Sequence, residues 1–434
     1  MMPRATLTII LGLVFYSCST TKRIDRAALA TVIKTDALQT AHVGISVYEP
    51  AAGKWWYNYQ GDHYFVPASN IKIPTCYAAM KYLGDSLVGL RYFETDTAVF
   101  IQPTGDPTLL HRAFKEQPVY GYFKKLTKPI IYVLPLWQSN VYGDGWSWDD
   151  YNDDYMPERA ALPIYGNTLQ FRLAQAGGKP ALKFDIPFFR YQINNLADPL
   201  TKNIRVMRRK TENLWDVFPT RDTFKTVEIP FVTYENPRLL EDTLHLSWAD
   251  RVRLAPNHPF QNLYSRPTDS VLRPMLHNSD NFFAEQSLLM ASDAILGVMS
   301  DSKIIDTILK TDFRDLPQKP RWVDGSGLSR YNLFSPQDFV TILDKMRLEF
   351  GITRMERLFP TGGEGSLRNY FVWDSSFMYA KTGSMSGVLC LSGFMYTRKN
   401  KLLLFSVLIN NHQASVPVAR RAVETFLQRL RNEY

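Results

Sequence analysis

The chain has 434 residues, of which 45% are hydrophobic and 21% are charged, a composition that excludes disordered, collagen-like and coiled-coil proteins. At this length we expect two or three domains. The net charge of +8 is not concentrated in any basic run or basic helix, so we predict no nucleic-acid partner.

The first 18 residues have the pattern of an export signal. Arg4 precedes the apolar stretch Thr6–Tyr16, which is too short to span a bilayer comfortably. The segment 17–19 places Cys18 after a small residue and resembles a bacterial lipoprotein cleavage site, at which the cysteine is acylated. We therefore predict export to the cell envelope (the periplasm) and membrane anchoring through a lipid on Cys18. Ordinary signal-peptide cleavage is the alternative, because Phe15 replaces the usual Leu.

Both ends of the remaining chain predict a hairpin followed by a helix. The β-prone runs His42–Val47 and Lys54–Tyr59 flank good turn residues, and a helix should begin near Pro67. A second hairpin is predicted from Val388–Tyr396 and Leu402–Ile409. Ser415 then caps a last helix whose apolar positions are Val418, Ala422, Val423, Phe426, Leu427 and Leu430. This arrangement predicts one α+β domain in which the two ends share a sheet.

The middle of the chain predicts inserted β-rich structure. It is rich in Pro, Gly and aromatic residues, with short β-type runs at Lys128–Leu134 and Lys225–Thr233. Helical character returns at Asn281–Leu296. We predict a signal segment over residues 1–18, one domain built from 19–84 and 266–434, and an insert of one or two subdomains over 85–265.

Three short motifs carry the candidate chemistry. The pattern S-x-x-K occurs at Ser19, Ser69 and Ser300, and it is expected by chance in a chain of this length. Ser69 has the best context, since it follows a hairpin and opens a helix, although a serine there is normally only a helix cap. Ser279-Asp280-Asn281 is the only S-x-N, and Lys381-Thr382-Gly383 is the only K-T-G. Their order is that of the serine penicillin-recognising enzymes.

These residue types suit acyl transfer through a serine. The hydroxyl of Ser69 needs a base, and Lys72 lies three residues further along a helix, where its amine reaches the same face. A lysine serves as that base when burial or a neighbouring cation lowers its pKa. Pro74 does not fit a regular helix that begins at Ser69, so we expect a distorted or 3₁₀-like first turn.

The other two motifs supply proton transfer and substrate binding. Ser279 would relay a proton between Lys72 and Lys381 to the leaving amine, and Asn281 would hold the scissile peptide. On an edge strand, the segment 382–384 would bind a terminal carboxylate through Thr382 and Ser384, beside Gly383. The backbone N–H groups of Ser69 and Ser384 would face the oxyanion. The scattered histidines and the lack of H-E-x-x-H or paired C-x-x-C patterns predict no metal and no other cofactor.

From His42 to the last helix, the chain resembles the D-alanyl-D-alanine carboxypeptidase/endopeptidases of the class C low-molecular-mass penicillin-binding proteins, the S13 serine peptidases. The resemblance includes the segments 67–70, 104–109, 145–150, 324–330 and 365–367. The long interval between Ser69 and Ser279 also fits, since the family carries extra domains between its first two motifs. The resemblance implies a penicillin-binding/β-lactamase-like α+β fold with inserted domains.

The resemblance also implies function. The expected activity is cleavage of D-Ala-D-Ala bonds, or D-Ala cross-links, in peptidoglycan stem peptides through an acyl-enzyme on Ser69, with β-lactams as covalent inhibitors. Arg330 would line the pocket for the stem-peptide side chain. Relatives often carry Asp-x-Ser-x-Phe in the insert, where this chain has Gln138–Tyr142, so the carboxylate that binds the substrate's distal amino group is missing.

Two other functions remain open. A β-lactamase of class A uses an additional glutamate in an E-x-x-L-N pattern, which is absent between Ser279 and Lys381. An inactive scaffold or peptidoglycan-binding protein would keep the fold but would not need a nucleophile together with two lysines. A Ser-His-Asp hydrolase is disfavoured because no G-x-S-x-G motif occurs.

Overall fold

The computed structural model describes residues 22–176, 179–195, 204–218, 226–246, 248–253 and 259–433. The predicted export segment and Cys18 lie outside these residues. The chain forms two compact units. Unit 1 contains the described residues up to Tyr77 together with Leu272–Ser279 and the residues from Thr307 onward, and unit 2 contains Ala78–Val271 and Asp280–Asp306. Both are therefore discontinuous in sequence, and the boundaries predicted at residues 85 and 265 stay a prediction.

The regular elements of the described residues are numbered in chain order. The strands are β1 His42–Glu49, β2 Lys54–Tyr59, β3 Ser86–Glu94, β4 Val99–Pro103, β5 Ile130–Val133, β6 Thr168–Ala176, β7 Lys179–Phe184, β8 Ile193–Asn195, β9 Arg205–Arg208, β10 Trp215–Phe218, β11 Thr226–Pro230, β12 Trp248–Val252, β13 Gln261–Pro267, β14 Met378–Met385, β15 Val388–Tyr396 and β16 Leu402–Asn410. The α-helices are α1 Lys72–Tyr82, α2 Pro118–Phe123, α3 Asn236–Leu244, α4 Asp269–His277, α5 Asn281–Leu296, α6 Asp301–Lys310, α7 Pro336–Phe350, α8 Ile352–Leu358 and α9 Val416–Glu433.

The sheet of unit 1 joins the two ends of the chain. Its strand order is β14-β15-β16-β1-β2, with antiparallel pairing throughout. The contact between the N-terminal and C-terminal hairpins is the β1–β16 pair, in which Ser46 lies opposite Ser406. Both predicted hairpins and the shared sheet are confirmed. Strand β14 lies at the edge of this sheet, and near its start its outer side pairs with residues 360–361.

Helix α9 packs on the core of unit 1 with one face. Its buried residues include Ala419, Val423, Phe426, Leu427 and Leu430. The prediction that Val418 is buried is wrong, because its side chain is 51% exposed. At about 100° per residue, Val418 lies one position off the buried stripe, where it faces away from the core.

The described residues of unit 2 form three sheets. Their orders are β12-β5-β4-β3-β13, β11-β6-β7 and β8-β10-β9. One apolar cluster, which includes Ile101, Phe171, Trp215 and Leu239, lies within this unit. The predicted β-runs become β5 and β11, and the predicted helix over Asn281–Leu296 is confirmed as α5. The α+β fold with a β-rich middle region is therefore confirmed.

Candidate active site

Ser69 and Lys72 lie on one face of a short turn in unit 1. Residues Ala68–Ile71 form a 3₁₀ turn, and α1 begins at Lys72. The Lys72 Nζ atom donates to Ser69 Oγ at 3.1 Å. Lys72 is fully buried, whereas Ser69 is partly exposed, so the hydroxyl is accessible and the amine is not. The tight first turn predicted from Pro74 is confirmed, and it leaves the i and i+3 side chains in contact.

The turn before Ser69 is held in an unusual conformation. Ala68 has φ of +47°, in the left-handed region that residues with a Cβ rarely occupy. Gly327 lies against it, and a Cβ atom on Gly327 would lie 1.9 Å from the Ala68 carbonyl oxygen. Only glycine fits there, because its own φ is +87° and the atom it would strike belongs to the backbone. The loop that contains Gly327 therefore supports the turn that presents Ser69.

The supporting loop is organised by one buried carboxylate. Asp324 accepts hydrogen bonds from the backbone N–H of Gly327 at 2.9 Å and of Ser329 at 2.7 Å. The same loop also accepts a hydrogen bond from Lys72, whose Nζ donates to the Ser326 carbonyl oxygen at 2.6 Å. This backbone acceptor helps to hold the Lys72 amine beside Ser69.

The second serine–lysine pair joins Ser279 to strand β14. Lys381 Nζ donates to Ser279 Oγ at 3.0 Å and to the Thr382 carbonyl oxygen at 2.7 Å. Ser279 has φ of +60°, a strained value for a residue other than glycine. Burial, with the neighbouring charges of Lys72 and Arg420, holds the pKa of Lys381 well below its ordinary value. Lys381 lies two residues before Gly383 on β14, and the close approach of Gly383 to the turn of Ser69 brings the two pairs into one site.

The edge strand passes close to the turn of Ser69. A Cβ atom on Gly383 would lie 2.7 Å from the Pro67 carbonyl oxygen, so glycine is needed for this approach. Thr382 is nearly buried and its Oγ1 donates to Ser366 Oγ at 2.7 Å. Ser384 is exposed on the same strand. Thr382 and Ser384 therefore supply two hydroxyls beside the lysine pair.

Arg420 is a site residue that the sequence did not reveal. It lies on α9, outside the apolar positions predicted for that helix. Its Nη2 donates to Ser384 Oγ at 3.0 Å and its Nη1 donates to the Ser366 carbonyl oxygen at 3.5 Å. No local motif marks it, because its contacts depend on how α9 packs beside β14.

Two further predicted site residues, Arg330 and Asn281, have different neighbours from each other. Arg330 is exposed, and its Nη2 donates to the Ser386 carbonyl oxygen at 3.1 Å, just beyond the end of β14. Asn281 belongs to unit 2, where it opens α5 and its Nδ2 donates to the Tyr155 carbonyl oxygen at 2.8 Å. The structure therefore places Arg330 near the edge strand.

The competing S-x-x-K match at Ser300 has a different geometry. Ser300 Oγ accepts the backbone N–H of Lys303 at 3.4 Å, as a serine at a helix start does. The ammonium group of Lys303 donates to Gln138 Oε1 at 2.6 Å. Ser300 is also buried, so it is a poor candidate for a nucleophile that must meet substrate.

Within the described ranges, no group of three His, Cys, Asp or Glu side chains is arranged to hold a metal ion. In the same part of the chain, no helix has both the length and the hydropathy needed to cross a bilayer. Cys76 and Cys390 are both buried.

The arrangement suits covalent chemistry on an acyl group. An accessible hydroxyl lies against a buried amine, which is the pairing that activates a serine when no histidine is present. Arg420 adds positive charge next to an edge strand, and a second buried lysine, Lys381, adds a hydrogen-bond donor. A substrate in this site would meet a nucleophile, a proton acceptor and an anion-binding surface.

Comparisons with known proteins agree with this chemistry. A family model described as "D-Ala-D-Ala carboxypeptidase 3 (S13) family" matches residues 25–201 and 246–430. The D-alanyl-D-alanine carboxypeptidase DacB of Haemophilus influenzae is 23% identical over 430 residues, which cover 87% of each chain. A D-alanyl-D-alanine carboxypeptidase of Actinomadura is 24% identical over 460 residues, which cover 91% of this chain and 82% of the relative.

Solved structures share the fold. The crystal structure of penicillin binding protein 4 (dacB) from Haemophilus influenzae matches with a TM-score of 0.72 and 21% identity, covering 94% of this chain and 98% of that chain. A predatory endopeptidase from Bdellovibrio bacteriovorus, solved in complex with an immunity protein, matches with a TM-score of 0.53 and 14% identity, covering 91% and 94% of the two chains.

Proposed function

Because the chain belongs to the D-Ala-D-Ala carboxypeptidase 3 (S13) family, we propose that it is a serine-type D-Ala-D-Ala carboxypeptidase that cleaves peptidoglycan stem peptides. The observation that carries this proposal is the contact of Lys72 Nζ with Ser69 Oγ at 3.1 Å, beside the Lys381–Ser279 pair. β-Lactams would inhibit the protein by acylating Ser69. The same site would cleave D-Ala cross-links.

The first step forms an ester on Ser69. The neutral amine of Lys72 takes the hydroxyl proton as Ser69 Oγ attacks the carbonyl carbon of the penultimate D-Ala. The new C–O bond gives a tetrahedral intermediate, and the backbone N–H groups of Ser69 and Ser384 would stabilise its oxyanion. The C–N bond then breaks, and terminal D-alanine leaves as the amine.

The leaving amine needs a proton before it departs. The hydrogen bond between Lys381 and Ser279 supports Ser279 as the group that passes the proton taken up by Lys72 to the departing nitrogen. Asn281 follows Ser279 by two residues in the S-x-N motif, and on that basis we assign its amide to binding the substrate peptide. Water activated by Lys72 then hydrolyses the ester and restores Ser69.

The carboxylate of the substrate has a suitable set of partners. Thr382 and Ser384 offer hydroxyls on β14, and Gly383 lets that strand approach the turn of Ser69. The charge of Arg420 favours an anion at this edge, and the buried amine of Lys381 adds a hydrogen-bond donor. Arg330, exposed near the end of β14, is assigned to the side chain of the stem peptide.

The test is labelling with a fluorescent penicillin followed by gel electrophoresis. The wild-type protein should form a stable covalent adduct that is absent in Ser69→Ala. The matched control is Ser300→Ala, which removes the serine of another S-x-x-K pattern and should label normally. Release of D-alanine from a pentapeptide that ends in D-Ala-D-Ala should depend on Ser69 in the same way. Equal labelling of wild type and Ser69→Ala would refute the proposal.

The same assay separates the alternatives. Rapid hydrolysis of the penicillin with little stable adduct would indicate a β-lactamase. A folded protein that neither labels nor releases D-alanine would indicate a scaffold or a peptidoglycan-binding protein. The buried Lys72 and Lys381 argue against a scaffold, because burying two amines is unfavourable unless the site uses them.

For the cellular location, we propose export to the cell envelope with a lipid on Cys18. The apolar segment over residues 6–16 and the cysteine after Ser17 support this proposal. Expression of the full chain with a radiolabelled fatty acid should label the wild type and not Cys18→Ser. Secretion of an unlabelled, cleaved wild-type chain would instead indicate an ordinary signal peptide. We also propose that residues 85–265 are an insert between two parts of one catalytic domain.

A further inference from the structure

A cavity of about 770 Å³ lies within unit 1 next to the edge strand. One side is formed by Ser366, Arg368 and Asn369, and the other by the start of α9, including Val416 and Arg420. Among the residues that line this cavity, the proposed reaction uses Arg420 alone. Its volume greatly exceeds what a single alanine needs.

The cavity is continuous with the residues that would bind the substrate carboxylate. Ser366, in its wall, accepts the hydrogen bond of Thr382 at 2.7 Å. Arg420, which also lines the cavity, donates to Ser384 at 3.0 Å. A group whose carboxylate lies against Thr382 and Ser384 therefore has its next atoms at the mouth of the cavity.

The walls of the cavity carry positive charge. Arg368 is exposed in the wall, and Arg420 lies over the Tyr370 ring at 4.8 Å, which fixes the direction of its guanidinium group. An acidic side chain, Glu364, lies close by, with its carboxylate 3.9 Å from the ring of His277, and it does not line the cavity. The cavity therefore favours a ligand with carboxylates.

We propose that this cavity is a leaving-group subsite that takes a peptide larger than D-alanine and bearing carboxylates, with Arg420 binding the carboxylate next to the cleaved bond and Arg368 contacting the peptide beyond it. The proposal rests on the proposed function, because it needs Ser69 to attack a D-Ala carbonyl. Its ligand is the second stem peptide of a D-Ala cross-link. That peptide leaves as an amine whose carbon also carries a carboxylate.

The chemistry is the same for both leaving groups. Ser69 Oγ forms a bond to the D-Ala carbonyl carbon, the amide C–N bond breaks, and the departing nitrogen takes the proton that Ser69 released. Only the group attached to that nitrogen differs. With D-alanine it ends at a methyl group, whereas with a cross-link the rest of a peptide continues into the cavity. Contacts there should help cross-link cleavage and leave D-alanine release unaffected.

The experiment compares two purified substrates, a pentapeptide that ends in D-Ala-D-Ala and a D-Ala-cross-linked peptide dimer. Asn369→Trp fills the cavity from an exposed position, and Val418→Trp is its control on an exposed residue that does not line the cavity. Arg368→Gln removes a charge from the wall, and Arg429→Gln is the matched control on an exposed residue of α9 outside the cavity.

Asn369→Trp should lower kcat/KM for the dimer at least tenfold and change it less than twofold for the pentapeptide. Arg368→Gln should lower only the dimer value, about fivefold, mainly through KM. Arg420→Gln should lower both values, since both leaving groups carry the first carboxylate. The two control variants should behave like wild type.

The outcomes separate the two proposals. If wild type releases D-alanine through Ser69 but does not cleave the dimer, or if Asn369→Trp affects both substrates equally, the subsite is refuted and the proposed function stands. If Ser69→Ala still labels with penicillin and still cleaves both substrates, the proposed function itself fails.

Discussion

Asn70 Nδ2 donates a hydrogen bond to Ser392 Oγ at 2.7 Å, which ties the turn of the proposed nucleophile to the central part of the sheet. Ser392 in turn donates to Ser406 Oγ at 2.8 Å on the next strand. All three side chains are fully buried. Because Asn70 directly follows Ser69, this chain of hydrogen bonds holds the backbone of the turn against β15 and β16.

Asn70→Ala should therefore reduce both stability and acylation. Loss of a buried amide that bonds a buried hydroxyl is expected to lower the free energy of unfolding by about 1–3 kcal/mol. The turn would also lose its attachment next to Ser69, so penicillin acylation should slow by about tenfold or more. Asn58→Ala is the control, since Asn58 accepts a hydrogen bond from Ser46 at 2.7 Å in the same sheet. It should cost stability without slowing acylation, and equal slowing in both variants would contradict this prediction.

Gly327→Ala should disrupt the site through a steric clash. The new Cβ atom would lie 1.9 Å from the Ala68 carbonyl oxygen, so the turn of Ser69 must move. Gly53→Ala is the control, because Gly53 has φ of +60° in the left-handed region and no atom lies within 4 Å of the position that a Cβ would take there. Both variants carry the backbone strain of about 1 kcal/mol, but only Gly327→Ala should lose penicillin labelling. Urea unfolding and the labelling rate, measured on both proteins, test this; normal labelling of Gly327→Ala would contradict it.

His277 should make stability depend on pH in the acid range. Burial lowers the pKa of His277 from 6.5 to about 4, and the positive charges of Arg273 and Lys381 act in the same direction, while Glu364 opposes them. Because the folded-state pKa is depressed, the stabilising contribution is complete above pH 6.5 and is lost as pH falls through 4. After allowance for solvent screening, the free energy of unfolding should fall by roughly 2 kcal/mol over this window from His277 alone.

The measurement for His277 compares urea unfolding of wild type and His277→Gln between pH 7 and pH 4. The loss of stability on acidification should be smaller in the variant. An NMR titration of the ring gives the pKa directly, and a value near 6.5 in the folded protein would exclude this explanation.

Arg330→Ala should separate peptide binding from acylation. Arg330 is exposed beside the end of β14, so its loss should leave the Lys72–Ser69 contact intact. We expect kcat/KM for a stem peptide with an acidic side chain to fall about tenfold, the effect of one charge-assisted hydrogen bond. Acylation by a β-lactam without a peptide side chain should keep its rate. A parallel loss with both compounds would show that Arg330 acts on the reacting groups instead.

The sequence predicted well the elements whose signal lies within a few neighbouring residues. Turn residues and alternating β-prone runs marked both hairpins, and the apolar spacing of Asn281–Leu296 matched the helix that forms. Pro74 was enough to predict a 3₁₀ start before α1, because its missing N–H is a property of one residue. The prediction for Val418 was wrong because it depended on tertiary packing. Only the surface against which α9 packs determines how wide the buried face of the helix is.

By itself, then, the sequence determined the order of the elements, the positions of the three motifs and the family to which they point. Only the tertiary structure decided which distant groups meet: Gly327 under Ala68, Arg420 beside Ser384, and Lys72 close enough to Lys381 to affect its pKa. The physical reason is the separation along the chain between the groups that interact. Hydrogen-bond and turn preferences act over a few residues of chain, whereas burial and charge act between atoms that the folded backbone brings together.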